Sequence, residues 1–146
     1  MQPRPVTVRT ELSLRLVVPG AIPMPVRAGL SYDAHDPYAV SVAFYTGSGR
    51  SADVVSWTFA RELLTAGVAG PVGDGDVRVW PCASDGDPLV CLSLSSPSGR
   101  ALFEVPEADL IEFLTMTYVA VPTGAEGDQI DLDSELLHLL AAEPET

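Results

Sequence analysis

Lysine is absent from this sequence of 146 residues; all eight cationic side chains are arginine. No Lys or Arg follows Arg100. Residues 101–146 carry eleven acids and a net charge of −11, while residues 1–100 set eight Arg against nine acids. The formal total of −12 repels phosphate backbones and anionic membrane surfaces unless a basic patch gathers somewhere, and eight scattered Arg form no obvious patch. Cysteine is scarce too. Cys82 and Cys91 are too few for the disulfide framework of a small secreted domain, and Cys91, inside Leu-Val-Cys-Leu, reads as a small buried hydrophobe. No apolar run approaches the ~20 residues of a membrane span, and no signal-peptide core follows Met1–Pro5. These absences point to a reduced, cytoplasmic protein.

What is present is globular. The chain is 47% hydrophobic, enough apolar area to offset the entropy of ordering, and its length suits one domain without a disulfide or metal staple. Glycine and proline supply 12 and 13 residues, above the usual ~12% combined share. Such a chain turns often, which favours many short strands over long helices.

The periodicity agrees. Val8, Thr10, Leu12, Leu14, Leu16 and Val18 alternate with Arg9, Glu11, Ser13, Arg15 and Val17, a strand with one buried face. Pro19-Gly20 ends it. Val26–Tyr32 is a second strand, Asp33–Pro37 a turn, and Tyr38–Thr46 a third strand. Gly47–Asp53 reads as a hairpin loop and Val54–Thr58 as a fourth strand, with Val55 and Trp57 on one face. Phe59, Leu63, Leu64 and Ala66 then suit a short helix stopped by Gly67. Strands return at Val77–Trp80, Leu89–Ser95 and Ala101–Val105, the last two joined through Ser96-Pro97-Ser98-Gly99. From Pro106 the spacing is helical: Leu110, Phe113, Leu114 and Thr117 share a face, with Glu107 and Asp109 at the positive N-terminal end. A last helix starts near Asp131 or Asp133 and presents Leu132, Leu136, Leu139 and Leu140. The expectation is one α+β domain over residues 1–146. It is strand-rich over 8–105, with helices over about 107–142 and a curved antiparallel sheet of about seven strands that curls or splits.

Catalytic chemistry finds little footing. His35, His138, Cys82 and Cys91 lack metal-ligand spacing, so no metal is expected. Asp74/Asp76, Asp85/Asp87 and Asp131/Asp133/Glu135 sit beside Gly or Pro or at a helix start. That is turn and capping chemistry, and exposed Gly-rich loops do not drive carboxyl pKa values apart as acid–base catalysis requires. No Gly-x-Ser-x-Gly elbow occurs, and neither Gly-Ser-Gly at 47–49 nor Gly-Asp-Gly at 73–75 leads into a phosphate loop. No catalytic residue and no cofactor are expected. Tyr32, Tyr38, Tyr45, Trp57 and Trp80 could stack single-stranded bases on a sheet, but Phe44 and Trp57 read as core and the net charge opposes nucleic acid. Arg78 and Trp80, on one strand face, are of the types that anchor protein–protein contacts. They and the acidic last helix, with Glu135, are the candidate partner-binding residues.

Several long blocks, in order, resemble the SsgA-like sporulation and cell-division proteins of actinomycetes. They are LSLRLVVP at 12–19, LSYDAHDPYAV at 30–40, WTFARELLTAGVAGPVGDGDVRVWP at 57–81, LSLSSPSGRALFEVP at 92–106, VPTG at 121–124 and DLDSEL at 131–136. The resemblance covers about Leu12 to Leu140. It implies a non-enzymatic factor that positions or recruits FtsZ at sporulation septa, with FtsZ or another SsgA-like protein as partner. It further implies a homo-oligomer, a trimer, and a fold like the whirly-type single-stranded nucleic-acid-binding proteins. The family has no catalytic motif to carry over.

Overall fold

The computed structural model describes residues 7–46, 53–73, 75–97 and 99–127. Eight strands form one antiparallel sheet among them. In chain order these are β1 (Thr7–Val17), β2 (Met24–Asp33), β3 (Ala39–Thr46), β4 (Asp53–Ala60), β5 (Val72–Gly73), β6 (Val77–Ser84), β7 (Asp87–Ser96) and β8 (Gly99–Pro106), with α1 (Arg61–Ala69) after β4 and α2 (Glu107–Ala120) after β8. The spatial order β4-β3-β2-β1-β8-β7-β6-β5 makes two four-strand meanders, each closed by a helix. The sheet curls into a half-barrel. One strand more is present than expected, because β5 is only two residues long and too short to leave a period in the sequence.

The meanders join through β1 and β8 at three registered pairs, Arg15↔Glu104, Leu16↔Phe103 and Val17↔Leu102. α2 packs on β1, β7 and β8, so it covers the seam. Its inward residues are the expected ones: Leu110, Phe113, Leu114 and Thr117 are buried. From β1 the alternation sends Leu12 and Leu14 inward and Arg9, Glu11 and Arg15 outward. Leu64 of α1 and Leu110 of α2 meet Leu12, Val42, Val79 and Val90 around a void of about 20 Å³. Burying each such side chain contributes ~1.5–3 kcal/mol.

Three details depart from the reading of the sequence. α1 begins at Arg61, not Phe59, because Phe59 stays in the sheet opposite Val40 and is buried there. Gly67 does not stop α1, which runs to Ala69. It is instead the point of closest approach between helix and sheet: a Cβ there would lie 2.1 Å from Val79 Cγ1. The cysteines are joined. Cys82 lies opposite Leu89 and Cys91 opposite Trp80, so the two are diagonal neighbours on one face with Cα atoms 6.2 Å apart. That lies within disulfide reach, and Cys82–Cys91 form a disulfide across β6 and β7. Cys91 is buried, as expected, but is not a free thiol. The hairpin between them turns at Asp85-Gly86, both at positive φ (54° and 84°), the type I′ geometry that Asp-Gly favours.

Candidate functional site

Arg78 and Trp80 alternate with inward-facing Val77 and Val79, so both lie on the outer face of β6. Arg78 is exposed and Trp80 partly buried. Across β7 they face Ser93 and Cys91, and beyond those Leu102 and Glu104 of β8. Glu104 Oε1 accepts a 2.9 Å salt bridge from Arg15 Nη2, which ties this face to β1. The outer face of the second meander therefore carries Trp80, the disulfide and Leu102 between two cations. Beside it a hollow of about 450 Å³ is lined by Pro71, Val72, Gly73, Arg78, Val79 and Trp80. Gly73 is required there: its φ is +99°, and a Cβ would fall 2.3 Å from Val77 O. Only glycine lets β5 come this close to β6.

β5 pairs with β6 only through Val72↔Val79 and Gly73↔Arg78, which leaves Trp80–Ser84 at the edge of the sheet. The Ser95 N–H donates to Asp76 O, so even-numbered β6 residues face β7 with their backbone groups and odd-numbered ones face outward. Pro81 thus puts its missing N–H on the free side, which blunts this edge against strand pairing.

The second feature was not anticipated. Arg61, 1% exposed, is the buried cation of the molecule's helical end. Its Nη1 donates to Thr117 O (3.1 Å) and Val121 O (2.8 Å), and its Nη2 to Glu126 Oε2 (2.7 Å). The guanidinium carbon lies 3.9 Å from the Tyr118 ring centroid and 5.0 Å from that of Tyr32, within cation–π range. Glu126 is held below the usual carboxylate range by its own backbone N–H first and by the Arg61 hydrogen bond next. Burial raises the Tyr32 phenol, which donates to Pro37 O at 2.9 Å. With carbonyl, carboxylate and ring partners around it, Arg61 is committed to holding the end of α2 and the turn after it. The sequence held one signal: Arg61 falls three residues before Leu64 on the apolar face of a helix, where a charge must find a partner.

The remaining candidates separate. His35 N donates to Asp33 Oδ1 at 2.9 Å, a turn contact, and no group of three or more potential metal ligands occurs among the described residues. Asp85 sits in the β6–β7 turn. Asp74, the helix expected near residues 131–142 and its Glu135 lie outside the described residues, as does the 47–52 part of the expected hairpin loop. Phe44 is core, stacked on Phe103 with ring centroids 4.3 Å apart, whereas Trp57 is only partly buried. No helix among the described residues is long and apolar enough to cross a membrane.

Known proteins similar to this chain in sequence and in fold agree with one another. The chain is 56% identical over 139 residues to the sporulation-specific cell division protein SsgB of Frankia casuarinae, with 95% of each covered. It is 53% identical over 135 residues to SsgB of Streptomyces coelicolor, covering 92% of this chain and 96% of that one. A solved structure from work on SsgB mutations and longitudinal cell division during sporulation of Streptomyces coelicolor superposes with a TM-score of 0.82 at 49% identity, covering 88% and 99%. The crystal structure of the SsgA-like sporulation-specific cell division protein of Thermobifida fusca does so at 0.84 and 43%, covering 96% and 100%. The model of the family described as Streptomyces sporulation and cell division protein, SsgA, matches residues 26–126, and the chain belongs to that family.

Proposed function

We propose that this protein is a non-catalytic assembly factor that binds FtsZ, directly or through another SsgA-like protein, and promotes septum assembly at the sporulation septum. The observation that supports it most is the full-length similarity to sporulation-specific cell division proteins. The outer face of β6–β8 gives that role a surface: a Trp and an Arg, the residue types enriched in binding hot spots, flank a shallow hollow at a blunted sheet edge. A homotrimer would present this face three times and raise avidity for a polymeric partner.

The test is genetic and biochemical together. Deleting the gene in its host should abolish sporulation septa, and the wild-type chain should restore them. A folded Trp80→Ala variant should restore them poorly. Normal septation in the deletion strain would sink the reading. Single-stranded nucleic acid is the competing ligand. Anisotropy at low salt should show no binding to an oligonucleotide, since a chain of charge −12 repels phosphates.

A further inference from the structure

The two edges of the sheet differ. Pro81 blunts the free part of β6, whereas β4 carries no proline, Lys or Arg. The Arg61 N–H donates to Tyr38 O at 2.7 Å, and the ladder continues this parity through Phe59↔Val40, Trp57↔Val42 and Val55↔Phe44. Odd-numbered residues of β4 therefore direct their backbone groups to β3. Val54, Ser56, Thr58 and Ala60 turn theirs to the other side, where no strand pairs among the described residues. Val54 is 53% exposed and Val55 45%. An apolar edge without proline or cationic side chains is a template for a further strand.

Beside this edge lies an apolar groove of about 330 Å³, lined by Leu16, Phe44, Val55, Trp57 and Phe103, with Arg100 at its rim. A strand added to β4 puts every second side chain on the same face as Val55 and Trp57, and so over the groove. Arg100 is the charged residue among the described ones that line it. Arg15, Arg27 and Arg61 each pair with a glutamate, whereas exposed Arg100 makes no ion pair with a described acid. A ligand that satisfies edge and groove together has an extended backbone, apolar side chains at alternate positions, and a carboxylate within reach of Arg100. Backbone hydrogen bonds supply the affinity in this mode of recognition, and pockets for alternate side chains the specificity. An exposed cation adds little strength, so Arg100 selects the sign of the charge.

We propose that the β4 edge and its groove bind an extended peptide segment of a partner protein by strand addition, the segment being apolar at alternate residues and carrying a carboxylate for Arg100. This docking surface is separate from the Trp80 face and independent of what that face holds. The test uses the full-length protein and a random peptide library displayed on phage. Enriched peptides should alternate apolar residues and carry Asp or Glu, and a fluorescein-labelled one should bind in anisotropy. Ser56→Pro removes an outward N–H and no bond to β3, so it should weaken that peptide by about tenfold or more at an unchanged thermal melt. Arg100→Glu should weaken it by about threefold and end the enrichment of acids. Where Ser56→Pro does not fold, peptides N-methylated at alternate amides replace it: one parity should abolish binding and the other leave it intact. A folded Ser56→Pro protein that binds as the wild type does overturns the proposal, as does enrichment of no peptide, enrichment without alternation, or equal tolerance of both parities. So does a wild-type oligomer that Ser56→Pro dissociates in sedimentation, because a second copy then occupies the edge.

Discussion

Replacing Arg61 by Met keeps much of the apolar stem and removes the guanidinium. The carbonyls of Thr117 and Val121 lose their donor at the end of α2, and the Glu126 carboxylate loses its cation. Stranding a buried hydrogen-bonding group costs ~1–3 kcal/mol, and breaking a buried ion pair ~3–5 kcal/mol. Because the Glu126 side chain can rehydrate, the loss is set by the two stranded carbonyls, about 3 kcal/mol. In urea, with a slope of roughly 2 kcal/mol/M for a domain of this size, the midpoint should fall by about 1.5 M. Arg61→Lys should fall in between, since an ammonium cannot span acceptors set around a planar fork. Exposed Arg78→Met should stay within about 0.5 kcal/mol. Circular dichroism at 222 nm reads all three. A midpoint shift below about 0.5 M for Arg61→Met, with an unchanged slope, would refute the reasoning that this cation holds the helical end together.

Other consequences follow from the same geometry. Gly67→Ala should destabilise by ~1–3 kcal/mol through overpacking against Val79, despite alanine's better helix propensity, and Val79→Ala should recover part of that loss in the double variant; thermal melts decide. Glu126 has a folded pKa below its unfolded value, so its contribution is complete above the ordinary carboxylate value of ~4.3 and disappears as pH falls through the lowered one. Urea midpoints between about pH 6 and pH 3 should drop at the acid end, and Glu126→Gln should flatten that drop. Cys82 and Cys91 should resist thiol reagents until reductant is added. Reduction should then cost up to about 3 kcal/mol by the chain-entropy measure for a loop of this length, and titratable thiols in the unreduced native protein would contradict the pairing. Trp80→Ala should weaken partner binding by about tenfold or more if Trp80 is an anchor, measured by anisotropy or sedimentation with folding confirmed.

The strands and α2 were legible because each has one apolar face on a period the chain repeats: the Leu12/Leu14 alternation and the Leu110–Leu114 stripe needed no tertiary information. Arg78 and Trp80 were likewise readable as a pair, since parity alone puts them on one face. What escaped the sequence depends on pairing between distant segments. Gly67 looks like a helix stop until Val79 is brought beneath it. Cys82 and Cys91 look unrelated until the Asp85-Gly86 turn sets their register. Leu16 and Phe103 become neighbours only because β1 pairs with β8. Arg61 carried a signal, a charge on an apolar helix face, but its partner Glu126 lies 65 residues away, beyond any local pattern.

The claim that this protein acts on the division machinery by direct contact is tested most simply by sedimenting it with FtsZ from its own host, with and without GTP, while light scattering follows polymer growth. The account predicts GTP-dependent enrichment in the pellet and faster or longer polymers, both weakened by Trp80→Ala. No enrichment at tens of micromolar and no change in scattering would contradict direct contact with FtsZ.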